Sequence, residues 1–245
     1  MFAESRSIGS TPGAWRARFG DFRRITPWGA LRIRLMPEWR LIKRFVPRGA
    51  RVLDAGCGIG DWAYLMTKSG RRVTGLDYSA EMVRRLESHY PQQTWKAGDA
   101  RDIPAEDGAF DAVTSWGVIE HDPNGPRAAL LEFRRVLAPG GVAIVSVPRD
   151  SALRRRLVDP NGRTFFQYLM TEEELADEVR AAGFDLLERG TLRWPHLDLA
   201  LPRASKRLPP KIFHLASVLF PLIAFWWRRF DRMVYCVGCR PEDRP

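Results

Sequence analysis

"RVLDAGCGIGDWA", residues 51–63, sets an apolar run against three glycines within five positions, Gly56, Gly58 and Gly60. Val52 and Leu53 read as a buried strand, and the turn signal behind them hands the chain to a helix. Glycine has no Cβ, so the turn can tighten and a ligand can approach the backbone, whose N–H groups are expected to be free and to point outward. Alone, a G-x-G-x-G is weak evidence, because glycine-rich turns also arise for steric reasons.

The surroundings repeat the same unit. "DWAYLMTKSG" (61–70) reads as a helix closing at Gly70, and "RRVTGLD" (71–77) as a second strand. "SAEMVRRLESHY" (79–90) is a second helix, with Ser79 at its N-cap and Met82, Val83 and Leu86 on one face. "QTWKAGD" (93–99), "FDAVTSW" (110–116) and "VAIVSVP" (142–148) supply three more strands, with a helix over "PRAALLEFRRVLAPGG" (126–141) before the last. Such alternation implies parallel strands joined by right-handed crossovers, with helices on both faces. Further on, "TEEELADEVRAAG" (171–183) is a helix with Thr171 and Glu174 in a capping box and Gly183 at its end. "FDLLERGTLR" and "RMVYCVGCR" read as a closing antiparallel pair at the sheet edge. "SALRRRLVDPNGRTFFQ" (151–167) reads as a basic and aromatic loop or broken helix.

Two carboxylates strengthen the glycine turn. Asp77 ends the second strand, 17 residues after Gly60, where it can accept both hydroxyls of a ribose. Asp99 ends the third strand, where it can meet an adenine amino group. Three strand ends then converge on one crevice at the C-terminal edge of the sheet.

The series "VLDAGCGIG", "VTGLDYS", "AGDARDIP", "FDAVTSWGVIEH" and "VLAPGGVAIVSVP" resembles the class I S-adenosylmethionine-dependent methyltransferases. The likeness is close over residues 50–150 and looser over 165–192 and 233–240. A nicotinamide dehydrogenase is the rival, but its G-x-G-x-x-G fingerprint would need the third glycine one place later. The resemblance implies a Rossmann-like, doubly wound, seven-stranded sheet, parallel with an antiparallel edge strand and helices on both faces. It also implies S-adenosyl-L-methionine as cofactor and S-adenosyl-L-homocysteine as product. By the same resemblance Asp54 would hold the turn and, with Gly56, face the methionine amino group. Cys57, Gly58 and Gly60 complete the cofactor turn. Asp77 would bind the ribose, Tyr78 would cover the adenine, and Asp99 with Ala100 would address its edge. Ser115 and Trp116 would lie near the sulfonium.

Methyl transfer from a sulfonium is an in-line displacement, in which the protein positions, desolvates and sometimes removes a proton. For O-methylation the candidate base is His121, since a neutral imidazole with a pKa of about 6.5 suits that task. "VIEH" also resembles the ubiquinone-type O-methyltransferases, in which a Glu-His pair and an acid three residues earlier hold a divalent metal. Here that earlier position is Gly117, so no metal is expected. An orienting role for Glu120 and His121 in the loop remains the alternative to the base. The Asn/Asp-Pro-Pro-aromatic turn of nucleobase amino methylation is missing, as is a cysteine near that loop for cytosine C5 chemistry. Cys236 and Cys239 form a C-x-x-C without a second pair, which reads as core packing rather than zinc.

Charge is uneven along the 245 residues. Residues 1–50 hold 11 basic and 3 acidic side chains, residues 51–200 hold 19 and 23, and residues 201–245 hold 9 and 3. The basic flanks suggest an anionic partner or merely a solvated surface. The segment 1–48 is expected to form a basic amphipathic helical cap, with the methyltransferase domain over 49–245. An apolar-basic insertion at about 195–231 includes the run Ile212–Trp227, which is short for a spanning helix. Three cysteines and no secretory signal point to a reducing, cytoplasmic setting, with peripheral contact at the inner face of a membrane. The expected acceptor is a small or lipid-linked molecule, methylated at oxygen rather than nitrogen, and the oligomeric state is left open. An RNA methyltransferase, with nucleic acid as partner, ranks lower because tryptophan and leucine cluster with the arginines in apolar runs. A non-catalytic cofactor-binding scaffold is the third reading.

Overall fold

The computed structural model describes residues 3–7, 25–151, 164–193 and 231–242. Its first half runs β1 (Ala3–Ser7), α1 (Pro27–Arg34), α2 (Pro37–Phe45), β2 (Arg51–Ala55), α3 (Asp61–Lys68), β3 (Arg72–Asp77), α4 (Ala80–His89) and β4 (Thr94–Ala97). Then follow β5 (Phe110–Trp116), a short 3-10 turn (Ile119–His121), α5 (Arg127–Val136), β6 (Leu137–Pro148), β7 (Thr164–Leu169), α6 (Glu172–Ala181), β8 (Asp185–Arg193) and β9 (Asp231–Cys239).

Seven strands form one sheet in the order β4-β3-β2-β5-β6-β9-β8. β2 pairs in parallel with β3 on one side and β5 on the other, and β9 runs antiparallel to both β6 and β8. The fold is the expected Rossmann-like α/β arrangement, with the antiparallel strand one place in from the edge. The chain winds outward from β2 to β4, returns, and winds outward again from β5. The reversal leaves a crevice at the C-terminal ends of β2 and β5, the switch point where α/β sheets bind ligands.

Burial explains why these segments settle as they do. β2 and β5 carry Val52, Leu53, Ala112 and Val113, each almost wholly buried, as expected of strands covered on both faces. On α4, Val83 and Leu86 face the core, while the Ser79 hydroxyl accepts from the Met82 N–H at 3.3 Å. The capping box of α6 is present: the Thr171 Oγ1 accepts from the Glu174 N–H, and Glu174 Oε2 accepts from the Thr171 N–H at 2.7 Å.

Two expectations change. Within 1–48 the described residues include helices α1 and α2, but Ala3–Ser7 is a strand. The tail of 151–167 is also a strand rather than a loop or broken helix, for β7 pairs antiparallel with β1 in a separate two-stranded sheet. "TFFQYL" is rich in aromatic residues, and once an edge partner exists such side chains suit a pleated surface better than a turn. Residues 152–163 and 194–230, which include nearly all of the expected insertion, lie outside the described residues.

The cap is fastened to the sheet by Arg71. Its buried guanidinium donates to the carbonyls of Ile42 and Val46 at the end of α2, and to Ser69 Oγ. Those carbonyls are among the orphans of a helix C-terminus, which a cation is well placed to satisfy.

Candidate active site

Gly60 sits in a left-handed conformation at the start of α3, with φ +79°. A Cβ there would lie 2.6 Å from Leu86 and 2.7 Å from Trp95, so glycine is required by packing as well as by backbone. Gly58 differs. Its φ is +53°, and a Cβ would meet nothing within 4 Å. The face of Gly58 is therefore an open cradle.

Four N–H groups of this turn, those of Gly56, Cys57, Gly58 and Gly60, are not free, contrary to expectation. Those of Gly56 and Cys57 both donate to the Leu76 carbonyl at 2.8 Å, and that of Gly60 to the Cys57 carbonyl at 2.9 Å. The Gly58 N–H donates to Asp77 Oδ2 at 2.9 Å. The end of β3 thus reaches across and takes up donors that would otherwise face a ligand. Access to a ligand comes from the missing side chain instead.

Asp77 is itself held at two points, because its Oδ1 accepts from the Ser79 N–H at 2.9 Å. Burial pushes its pKa up, and these two N–H bonds partly offset the shift. A carboxylate has about four lone-pair sites, so each oxygen keeps capacity for a further donor. Tyr78 beside it is exposed.

Asp54, paired with Thr114 across the switch point, is almost wholly buried. The Thr114 hydroxyl donates to its Oδ1 at 2.9 Å, whereas Oδ2 is buried with no hydrogen-bond partner. Desolvation raises its pKa to about 7, with the Thr114 bond and the Ala63 backbone N–H at the start of α3 opposing the shift. A buried carboxylate oxygen without a donor fits a ligand that brings a cation.

The remaining sequence candidates divide. Cys57 is buried in the apolar cluster that includes Trp95, and burial pushes its thiol pKa well up. Asp99 lies just past β4 and is gripped by Arg101, whose guanidinium reaches Oδ2 at 2.6 Å and whose N–H reaches Oδ1 at 2.8 Å. That pairing holds the Asp99 pKa below the usual carboxylate range. Ala100 packs against the core beneath. At the end of β5, Ser115 Oγ and Trp116 Nε1 are buried and have no partner among the described residues. His121 follows in the 3-10 turn, with Nε2 3.7 Å from Oε1 of the buried Glu120.

Four contributors escaped the sequence reading. Thr114 orients Asp54, and its place opposite Asp54 becomes visible only once β2 and β5 are paired. Arg101 also reaches Asp122 Oδ2 at 3.3 Å, bridging the end of β4 to the His121 loop. Trp39 and Trp62 extend the aromatic surface begun by Trp116.

A family model described as a methyltransferase domain matches residues 28–189, which cover the glycine turn, both carboxylates and the His121 loop. The chain belongs to the class I S-adenosylmethionine-dependent methyltransferases. The chain is 35% identical, over 142 residues, to a Mycolicibacterium smegmatis protein described as a probable S-adenosylmethionine-dependent methyltransferase. The match takes in 56% of this chain and 53% of that protein. It is also 34% identical over 159 residues to the ubiquinone biosynthesis O-methyltransferase of Xanthomonas axonopodis pv. citri, covering 58% of this chain and 66% of that one. The chain thus spans between about half and two thirds of the length of these relatives. Among solved structures, the methyltransferase complexed with the Haloferax volcanii Trm112 activator superposes with a TM-score of 0.63 at 24% identity. That alignment covers 95% of this chain and 97% of the other, a likeness of fold.

Proposed function

We propose that this chain transfers a methyl group from S-adenosylmethionine to an oxygen of a small or lipid-linked acceptor, working at an anionic membrane surface. The observation that carries the cofactor part is the buried, partnerless Oδ2 of Asp54 at the switch point, in the same turn as the open face of Gly58. An ammonium beside Asp54 would complete that carboxylate, and a ligand body could lie over Gly58 where any other residue would intrude. Asp77 would take the ribose hydroxyls on its spare lone pairs. Tyr78 would cover the adenine, and Asp99 with the Ala100 N–H would meet its edge.

When bound, S-adenosylmethionine supplies a methyl group on a positively charged sulfur, which is already activated for displacement. The chain's own work is to align the acceptor, exclude water and take up the hydroxyl proton. His121 would take that proton, with Glu120 steadying the imidazolium that results. The 34% identity to a ubiquinone biosynthesis O-methyltransferase supports oxygen as the receiving atom.

The membrane part rests on α1. Trp28, Leu31 and Leu35 are 62%, 41% and 70% exposed, while Ile33 on the opposite face is buried. These spacings place the three on one side of the helix, with Arg32 and Arg34 in its last turn, a pattern suited to lying in a headgroup layer. Among the described residues no helix is long and apolar enough to cross a membrane.

The test has two arms. Radiolabelled S-adenosylmethionine should methylate hydroxylated acceptors, and His121→Gln should lower kcat by roughly 100-fold or more while leaving S-adenosylhomocysteine binding intact. Flotation with phosphatidylglycerol vesicles at low salt should carry the protein upward, and Trp28→Ala with Leu35→Ala should weaken that binding. Turnover indifferent to His121 would defeat the base assignment, and no flotation would defeat the membrane assignment.

A further inference from the structure

Three tryptophans stand in a row between the cap and the end of β5. Trp39 of α2 faces Trp62, the second residue of α3, with ring centroids 6.4 Å apart and planes inclined by 26°. Trp62 faces Trp116, the last residue of β5, at 5.5 Å and 35°. Trp39 is buried, whereas Trp62 and Trp116 are only half-buried, so the row begins in the core and emerges beside the crevice.

Core packing accounts for the first ring but not for the last. Indole Nε1 is a donor and nothing else, and buried tryptophans ordinarily find it an acceptor. The Nε1 of Trp116 has none among the described residues, nor does the adjoining Ser115 Oγ. Ser115 stands next to it on the strand and so faces the other side of the sheet, and the Trp116 N–H by itself marks this face as a place where a ligand completes the bonding. Gly117 follows directly. A Cβ there would stand 3.4 Å from Glu120 Oε1 and 3.5 Å from the Met233 methyl group, so the Glu120–His121 turn and a soft thioether close in behind Trp116. The same apolar cluster joins Ile33, Met36 and Trp39 of the cap to Trp62, Trp116 and Met233.

We propose that Trp62 and Trp116 form one wall of the acceptor site and select a flat hydroxylated aromatic ring, a phenol or quinol, with the Trp116 indole N–H donating to a ring oxygen. The inference rests on the methyl-transfer reading of the same crevice and adds the acceptor's chemical class. Indole faces favour an offset aromatic partner over a saturated one of equal size. The partnerless N–H asks for an oxygen near that ring, and His121 lies on the same loop to take a proton from a hydroxyl.

The test uses the full chain loaded with S-adenosylhomocysteine, titrated with catechol and with cyclohexane-1,2-diol, by calorimetry and by tryptophan fluorescence. Catechol should bind saturably and quench the fluorescence, and the saturated diol should bind at least about tenfold more weakly. Trp62→Leu should weaken catechol by roughly threefold to tenfold and leave S-adenosylhomocysteine affinity unchanged. Trp116→Phe keeps a ring and deletes the N–H, and should weaken catechol by a similar factor. Equal binding of the two probes, catechol binding indifferent to both substitutions, or no saturable catechol binding would each overturn the proposal. So would a Trp62→Leu variant that loses S-adenosylmethionine relative to S-adenosylhomocysteine while keeping catechol, since the row would then serve the sulfonium charge. Failure of S-adenosylhomocysteine to bind the unaltered chain would bring down the methyl-transfer reading and this inference together. Binding without discrimination between the probes would bring down only the inference.

Discussion

At the ends of β2 and β3 four backbone donors of the glycine turn already have partners. Gly56 and Cys57 have spent their N–H groups on the Leu76 carbonyl, Gly60 on the Cys57 carbonyl and Gly58 on Asp77, which is tied again at Ser79. At the end of β5 the buried Ser115 and Trp116 have side-chain polar atoms with no such partners. The first region has its backbone set before any ligand arrives and only the Asp54 carboxylate left open, whereas the second is finished by what it binds. A buried donor without an acceptor costs about 1–3 kcal/mol, so the end of β5 gives up stability that a ligand can restore. This division suits a two-substrate enzyme, in which a fixed frame holds the donor and incomplete side-chain bonding chooses the acceptor.

The comparison is easiest to break at Asp77. Replacing it by alanine removes the strap across the glycine turn together with the proposed ribose acceptor. Two bonds to a charged group are at stake, so S-adenosylhomocysteine affinity measured by calorimetry should fall by about 100-fold or more. Asp77→Asn, which keeps one acceptor oxygen, should fall between. Undiminished affinity in the alanine variant would mean that the finished frame does not serve the donor.

Asp54 is the exception within the frame, and pH sharpens what it does. Its carboxyl keeps a proton up to about 7, against 3.8 ordinarily, because burial outweighs the bonds from Thr114 and the Ala63 N–H. Between those values the folded, empty protein holds a proton that the unfolded chain has released. Stability from this group is therefore full below about 4 and declines as pH climbs towards 7. An ammonium ligand prefers the ionised form and must displace the proton first. Affinity for S-adenosylhomocysteine should rise about tenfold per pH unit up to about 7 and then level off. Asp54→Asn should flatten the slope. Calorimetry in buffers of different ionisation enthalpy counts the proton released, and a count of zero at pH 6 would remove Asp54 from the ammonium contact.

How much of this could be read in advance follows the same division. The strands from β2 to β6, the Ser79 and Thr171 caps and the placing of Asp77 beside the glycine turn were legible, because apolar periodicity, caps and glycine turns are local signals. The charge state of Asp54 was not, since it is set by burial once β2 and β5 are paired, against a bond from Thr114 that lies 60 residues away in sequence. Nor was the pairing of β1 with β7, whose partners are separated by most of the chain. The helix starts at Thr26-Pro27 and Met36-Pro37 carried a usable signal, proline at the first helical position, which the basic-apolar pattern of the cap obscured. The tryptophan row joins residues from three elements, and sequence spacing holds no trace of it.

The smallest expected effect lies at the rim of the frame. Arg101 holds Asp99 through its backbone N–H and its guanidinium, and extends to Asp122 beside His121. Both Arg101 and Asp99 are more than two fifths exposed, so the pair is screened by solvent and is worth no more than about 1 kcal/mol. If the donor frame is complete even at this rim, Arg101 acts by keeping the Asp99 carboxylate in place for the adenine amino group. Arg101→Ala should then weaken S-adenosylhomocysteine about threefold at low salt, and the difference should vanish near 1 M salt, where exposed ion pairs are screened out. Tighter binding in the alanine variant would carry the opposite meaning, that Arg101 competes with adenine for Asp99. The frame would then end at Asp77, and the end of β4 would belong with β5 among the parts completed by the ligand.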